Sequence, residues 1–310
     1  MRSDEARRGR FLVAAAAVCW STGGLIARLV DTDPWTTVFW RGLFCAAFLV
    51  GVTALREGRR TPDVFLGMGA TGLAMAVCFA TASTCFIMAL HHTSVANVLI
   101  IQSLSPFMAG LLGWAWMGER VEGRTWAAMG VALLGSAIMV SRYFYTAAAG
   151  SLGGDLLAFT VALSFAAATV LLRRNRGVRM LPAAALAAAL ASLVASFAAR
   201  PGSADLGDLL LLALFGSGQL GFGMILFTTG ARRIPVAEAA LIAVLESVLG
   251  PVWVWLAIGE NPGLPSLVGG AIVLAALAGH TLADLRLEWR AAAAQSGSGS
   301  GSRNRSSTGT

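Results

Sequence analysis

The chain contains no lysine, and only 13% of its 310 residues are charged. A GxxxxGK[ST] nucleotide-binding loop is therefore impossible, and neither an HExxH nor a GxSxG motif occurs. His91 and His92 adjoin but lack the spacing of a zinc pair. Direct use of ATP is not expected, and no catalytic residue, cofactor or metal site is predicted.

Cysteine is scarce, and its placement is uninformative about chemistry. The four cysteines all fall inside apolar runs without a CxxC spacing, which predicts small buried apolar residues. The net charge of +7 comes from arginines in connectors and tails, not from one basic face with interleaved aromatics. A nucleic-acid partner is therefore not expected.

What the chain has in abundance is apolar sequence: 56% of it is hydrophobic, and the mean hydropathy is +0.72. A bilayer core of ~30 Å needs about 20 helical residues per crossing. Ten runs meet this length, so an all-α integral membrane protein with ten transmembrane helices is predicted. The runs are Phe11 to Val30, Thr36 to Leu55, Val64 to Leu90, Ser94 to Met117, Arg124 to Val140, Leu152 to Leu172, Leu181 to Ala199, Leu206 to Gly230, Pro235 to Ile258 and Leu264 to Asp284.

Arginines sort to one side of these runs. With a cytoplasmic N-terminus, 19 of the 23 fall in cytoplasmic segments. The positive-inside rule then predicts both termini in the cytoplasm, in a plasma membrane of the bacterial inner-membrane type. The N-terminus also resembles a signal peptide up to Cys19, but its apolar run continues to Val30, so it is interpreted as a retained first helix.

The second half of the chain repeats the first. A shift of 141 residues places Val95-Ala96 on Val236-Ala237 and Gly118-Glu119 on Gly259-Glu260 without a gap, which indicates an internal duplication. The predicted organisation is a cytoplasmic segment at 1–10, a first five-helix repeat at 11–141, a second at 152–284, and a disordered cytoplasmic tail at 285–310.

Five helices per repeat is an odd number, so the second repeat enters the membrane from the opposite side. The connectors agree: His91 and His92, outside, align with Arg232 and Arg233, inside. Inverted repeats are typical of secondary transporters that alternate access around a midplane cavity. The alternative is a duplication that serves packing alone.

Short motifs occur in a fixed order along the spans. They are Cys19-Trp20-Ser21-Thr22-Gly23, Trp40-Arg41, Ser94-Val95-Ala96, Ser105-Pro106, Gly118-Glu119, and Glu246 through Gly259-Glu260. With them the chain resembles the EamA-type branch of the drug/metabolite transporter superfamily, from about Leu12 to Asp284. The chain departs from the family pattern at one point: Ser247 follows Glu246, where the family often has proline.

The resemblance implies ten helices in two halves and transport of small metabolites across the bilayer. Within the family, the chain is most similar to the group that exports aromatic and other neutral amino acids. The leading hypothesis is therefore an amino-acid exporter with a small-molecule substrate. A lipid-moving or drug-efflux protein of the same fold is the alternative, and an intramembrane enzyme is a weaker one. Small-residue faces in the fifth and tenth spans are interpreted as internal packing, which predicts a monomer; a dimer contact is the alternative.

Polar residues at depth are the candidates for the substrate cavity. They include buried amides and a mid-depth tryptophan, whose polar groups need partners that lipid does not provide. For the small hydroxyl side chains, helix packing is a second interpretation. The candidates are Trp20, Ser21, Thr81, Thr84, Gln102, Ser105, Thr160, Ser164, Gln219 and Glu246.

Two charges lie deep in the spans. Glu246 is 11 residues beyond Pro235, about 16 Å deep at ~1.5 Å per residue, and is interpreted as a proton site or an anchor for a substrate ammonium. A neutral acid hydrogen-bonded to a neighbouring helix is the alternative. Arg41 either contacts a substrate carboxylate or extends back to the interface near Asp31 and Asp33.

Helix breaks are expected where proline lies inside a span. Pro106 and Pro251 each remove an intrahelical hydrogen bond, and Gly110 aligns with Pro251 in the repeat. These three residues are predicted to act as hinges or kinks.

Overall fold

The computed structural model describes residues 2–93, 98, 101–144, 152–175, 180–259 and 263–300. The motif Ser94-Val95-Ala96, the acid Glu260 and residues 301–310 lie outside the described part. All described secondary structure is helical, which confirms the all-α class.

The helices follow the predicted spans closely. In chain order they are α1 Arg2–Ser21, α2 Gly23–Leu29, α3 Pro34–Glu57, α4 Thr61–Leu66, α5 Gly69–His92, α6 Ser105–Met117, α7 Gly123–Phe144, α8 Leu152–Arg174, α9 Leu181–Ala195, α10 Leu206–Ala213, a π-helical segment Leu214–Phe222, α11 Gly223–Gly230, α12 Val236–Ala243, α13 Leu245–Ile258 and α14 Gly263–Ser300. Seven stretches of the described residues are long and apolar enough to cross a membrane, and α9 is a shorter apolar helix.

Local signals in the sequence set several helix ends. Asp33 caps α3, since its side chain accepts from the backbone N–H groups of Trp35 and Thr36. Gly118 and Gly259 end α6 and α13 in the left-handed conformation, with φ of 65° and 76°, which favours glycine. The glycines of the two Gly-Glu motifs are therefore helix C-caps.

The last helix is longer than predicted. It continues to Ser300, through residues 285–300 that the sequence suggested were disordered. The physical reason is the run Glu288 to Gln295, which contains four consecutive alanines and other strong helix formers.

Helix packing repeats between the halves. α5 packs on α8, and the equivalent contact in the other half joins α11 with α1. Likewise α5 packs on α9, and the equivalent contact joins the π segment with α3. Two helices pack directly on their counterparts in the second half: α3 on α9, and α7 on α14. The contacts therefore follow an approximate two-fold pseudosymmetry.

The pseudosymmetry relates opposite ends of the bundle. Gly9 at the start of α1 contacts Arg233 and Ile234, and Gly154 at the start of α8 makes the equivalent contact with His92 and Thr93. We call the end with Arg10, Glu119 and Arg173 the inner end, and the end with Asp31, Arg200 and Asp208 the outer end. α1 begins at the inner end, and α8 begins at the outer end.

Apolar side chains of both halves pack together along the bundle. The main cluster includes the fully buried Val13, Leu172 and Ile234 toward the inner end and continues along α3 and α9 to Val38 and Ala195 near the outer end. At the outer end, Ile26, Leu212 and Phe215 form one small cluster, and Ala89, Val98 and Ala158 form another. Phe215 of the first small cluster, and Phe86, which packs against the second, line a central cavity.

Candidate transport site in the centre of the bundle

A cavity of about 120 Å³ occupies the middle of the bundle, with walls from helices of both halves. Its walls are mainly apolar and aromatic, with a few polar groups. Of the predicted cavity residues, Trp20, Gln102, Gln219 and Glu246 line it, and so does Arg41.

Arg41 lies on α3 and is 6% exposed. Its guanidinium carbon lies 4.5 Å from the centre of the Phe215 ring, a cation–π contact. The Nε and Nη1 atoms have no hydrogen-bond partner. The interpretation in which Arg41 extends back to the interface does not describe this structure, because Asp33 bonds to the start of α3 instead.

Glu246 occupies the first turn of α13, directly after the junction with α12 at Val244. It is half-buried and lines the same cavity as Arg41. No ion pair within 4.0 Å joins these two side chains in the part of the chain that the structure describes. A positive and a negative group, one from each half, therefore share a cavity without neutralising each other directly.

Gln219 lies in the π segment and bonds to the first helix. Its Nε2 donates to the backbone carbonyl of Trp20 at 2.8 Å, which fixes the amide orientation, because a carbonyl only accepts. The Oε1 atom of Gln219 and the Nε1 atom of Trp20 are buried without partners. π-helical segments occur frequently at functional sites, and this one lies against the cavity.

Aromatic rings form the inner wall. Trp20, Phe79 and Phe165 line the cavity, and all three contact Phe227, which is fully buried beneath them. Their centroids lie 5.1 to 6.3 Å apart. The rings close the cavity toward the inner end with an apolar layer.

Six predicted cavity residues do not line the cavity. The hydroxyl of Ser21 bonds to Val18 and accepts from Trp253, so it ties α1 to α13. Thr160 donates to the carbonyl of Leu156 on its own helix. The others outside the lining are Thr81, Thr84, Ser105 and Ser164.

Other residues that line the cavity were not predicted from the sequence. Ser83 and Phe86 on α5, and Val161 and Phe165 on α8, take the places expected for the polar stripes. Alternating apolar and small residues on these helices gave no signal of which face is inward. Only the helix rotation in the folded bundle decides this.

Within the described residues, the helices depart from regular α-helical geometry at four places at depth. α1 gives way to α2 at Thr22, a turn at Ser103 and Leu104 precedes α6, and α12 meets α13 at Val244. Shifted by 141 residues, Ser103 falls on Val244, so these two breaks are equivalent. The fourth place is the π segment.

The predicted hinge residues lie close to some of these places. Pro106 lies in the first turn of α6, where its missing N–H breaks no helical bond. Pro251 lies within α13, which continues through it. Gly110 faces Val121 and Ala237 across a close helix contact. The hinge roles of all three stay predictions.

Comparison with known proteins agrees with this architecture. The sequence profile described as "EamA-like transporter family" matches residues 7–141 and 152–282. An "Uncharacterized transporter" of Archaeoglobus fulgidus is 26% identical over 272 residues, which is 87% of this chain and 94% of that protein. One solved crystal structure matches with a TM-score of 0.75 at 18% identity, over 88% of this chain and 97% of the other, and so shares the fold.

The family profile covers most of the chain, in both halves that build the central cavity. The chain is a multi-pass membrane protein and belongs to the EamA-like transporter family.

Proposed function

We propose that this protein exports amino acids with neutral or aromatic side chains across a plasma membrane, by alternating access around the central cavity. The observation that carries the proposal is the pair Arg41 and Glu246, which line one mid-membrane cavity without an ion pair between them. Unpaired charges at this depth are costly, so they are retained for function.

A free amino acid fits these charges. Its carboxylate suits the guanidinium of Arg41, and its ammonium suits the carboxylate of Glu246. The aromatic walls at Trp20, Phe79 and Phe165 provide an apolar surface for the side chain. The cavity is smaller than the ~300–1,000 Å³ typical of sites for drug-sized ligands, which favours a small metabolite.

Alternating access is supported by the inverted pseudosymmetry of the bundle. The rings of Trp20, Phe79 and Phe165 pack on the fully buried Phe227 and close the central cavity toward the inner end. With the inner end in the cytoplasm, this is an outward-facing arrangement. Rocking of the inverted halves then exposes the cavity to the cytoplasm.

Counterflow in proteoliposomes tests the proposal. Purified protein is expected to exchange labelled L-phenylalanine and L-leucine above empty vesicles. Arg41→Gln is expected to lower exchange about 10- to 100-fold, because a hydrogen bond to a charged group contributes ~1.5–3 kcal/mol. Thr84→Ala is the matched control, a polar residue on a neighbouring helix that does not line the cavity.

Two results would contradict the proposal. Exchange no greater than in empty vesicles for both amino acids rejects the substrate class. Equal exchange by Arg41→Gln and Thr84→Ala rejects the role of the guanidinium. Glu246→Gln separates two roles of the acid: loss of exchange at every pH indicates an ammonium anchor, and retained exchange without pH dependence indicates a proton site.

A further inference from the structure

A cavity of about 240 Å³, separate from the central one, lies at the inner end of the bundle beside the end of α3. Its walls come from α3 and α4 of the first half and from α9, α11 and the connector after α11 of the second. Arg173 Nη1 donates to the backbone carbonyl of Arg232 in this connector at 3.0 Å, which places the cavity at the same end as Arg173. We call it the α3–α9 cavity.

Two arginines line this cavity. Arg56, in the last turn of α3, is exposed, and Arg232 is half-buried. Among the described residues, neither guanidinium makes a hydrogen bond or an ion pair. One acid, Glu57, also lines the cavity, so the lining is net positive. Burial lowers the pKa of Arg232, and the charge of Arg233 lowers it further, so an anion beside Arg232 would stabilise the charged form.

Neutral donors surround the same space. Thr53, Thr228 and Thr229 line the cavity, and each hydroxyl donates to a carbonyl of its own helix, from which it can rotate to a ligand. The helix α9 also begins here at Leu181, and Met180 before it provides no side-chain cap. The first N–H groups of a helix lack helical partners and carry partial positive charge. Arginines, hydroxyls and a helix start together favour an anion with several oxygens.

Apolar surface adjoins these donors. Leu55 lies between Thr53 and Arg56 in the sequence and is 89% exposed. Leu66 follows the lining residue Val64 by two positions and is 82% exposed. A guanidinium matches the geometry of a phosphate group, and basic pockets between transmembrane helices bind phospholipid head groups. A phosphate joined to acyl chains therefore suits both the charged cavity and its apolar surroundings.

We propose that the α3–α9 cavity binds the phosphate of an anionic phospholipid from the leaflet at the inner end, with Arg56 and Arg232 donating to its oxygens. Because Arg56 belongs to the first half and Arg232 to the second, one phosphate holds the two halves together at this end. The site is separate from the central cavity, and lipid binding requires no transport. Failure of amino-acid exchange would therefore leave this proposal intact.

Lipid titration tests the site. Delipidated protein in a neutral detergent is titrated with diheptanoyl phosphatidylglycerol, and native mass spectrometry measures the bound fraction. The parent is expected to bind this lipid. Arg232→Gln and Arg56→Gln are each expected to raise the apparent Kd about tenfold or more, because each removes a charge-assisted hydrogen bond to the phosphate.

Arg59 provides the matched control. It lies in the 3₁₀ turn Gly58–Arg60 directly after α3, is exposed and does not line the cavity. Arg59→Gln removes the same charge and is expected to raise the Kd by no more than about fivefold, the effect of one basic residue near anionic lipid. Size-exclusion profiles show whether each variant folds, and Arg56→Gln carries the comparison if Arg232→Gln does not. Equal weakening in the lining variants and in Arg59→Gln would overturn the site.

Two further ligands identify what is bound. Diheptanoylglycerol has the same acyl chains without the phosphate and is expected to bind the parent and Arg232→Gln alike. Inorganic phosphate is expected to leave the melting temperature of the parent unchanged, whereas phosphatidylglycerol raises it. Diheptanoylglycerol binding that weakens tenfold in Arg232→Gln would overturn recognition of the phosphate. Inorganic phosphate that stabilises the parent as much as phosphatidylglycerol would overturn the lipid as its source.

Discussion

Replacing Gln219 by methionine separates the contribution of this amide to stability from its contribution to transport. The amide makes one bond, from Nε2 to the carbonyl of Trp20 at 2.8 Å, and buries Oε1 without a partner. A buried polar atom without a partner costs ~1–3 kcal/mol. Methionine removes that cost, but it leaves the Trp20 carbonyl without this donor, at a cost of the same size.

The two effects cancel, so Gln219→Met is expected to change the stability of the empty protein by no more than about 1 kcal/mol, because methionine also fills similar volume. For a chain of this size that corresponds to a shift in melting temperature of about 2 °C in a detergent assay. Gln219→Ala is the contrasting variant. It leaves a void and is expected to cost ~2–4 kcal/mol.

Exchange should respond differently. If Oε1 accepts from the substrate ammonium, its loss removes a charge-assisted hydrogen bond and lowers L-phenylalanine exchange by about tenfold or more. A Gln219→Met protein destabilised by more than about 3 kcal/mol would show that the amide is retained for its bond to Trp20. Normal exchange at unchanged stability would show that the unpaired oxygen has no part in binding.

Two further predictions concern the scaffold. Gly135→Ala is expected to cost about 1–3 kcal/mol, because a Cβ there would lie 2.8 Å from the carbonyl oxygen of Gly269, whereas Gly130→Ala on the same helix meets open space; thermal denaturation of the two variants decides this. Asp33→Ala is expected to lower stability by ~1 kcal/mol through loss of the α3 cap. Burial raises the pKa of Asp33, but hydrogen bonds to its carboxylate and the charge of Arg200 outweigh this and hold the pKa below its ordinary value of 3.8. The stabilisation by this carboxylate is therefore present above pH 3.8 and is lost as the pH falls further. If the stability difference between Asp33→Ala and the parent did not shrink at acid pH, this prediction would be contradicted.

Some site residues could be predicted from the sequence because burial of polarity in lipid is a strong constraint. Glu246, Arg41 and Gln219 stand out in apolar runs, and all three line the central cavity. The polar stripe at Thr81 and Thr84 did not have this specificity, because hydroxyls satisfy themselves on their own helix. For such residues the sequence pattern does not distinguish a wet face from a packed one.

Helix breaks, too, could be predicted from the sequence only in part. Pro106 marks a real interruption, because proline is favoured in the first turn of a helix, where its missing N–H has no helical partner, and it lies in the first turn of α6. The equivalent interruption at Val244 has no proline, and α13 continues through Pro251. The π segment at Leu214–Phe222 likewise arises from packing between α1 and α3, for which its glycines allow close approach.

The sequence by itself determined the membrane class, the apolar runs and the duplication, because hydropathy, arginine placement and the 141-residue repeat are properties of the linear chain. Only the tertiary structure decided which helix faces meet, and so which polar residues share the cavity. It also brought Arg10 to Glu238 across 228 positions of sequence, a pairing that depends on how the two halves dock. Charge pairs of this kind depend on distance in space, and no local pattern encodes that distance.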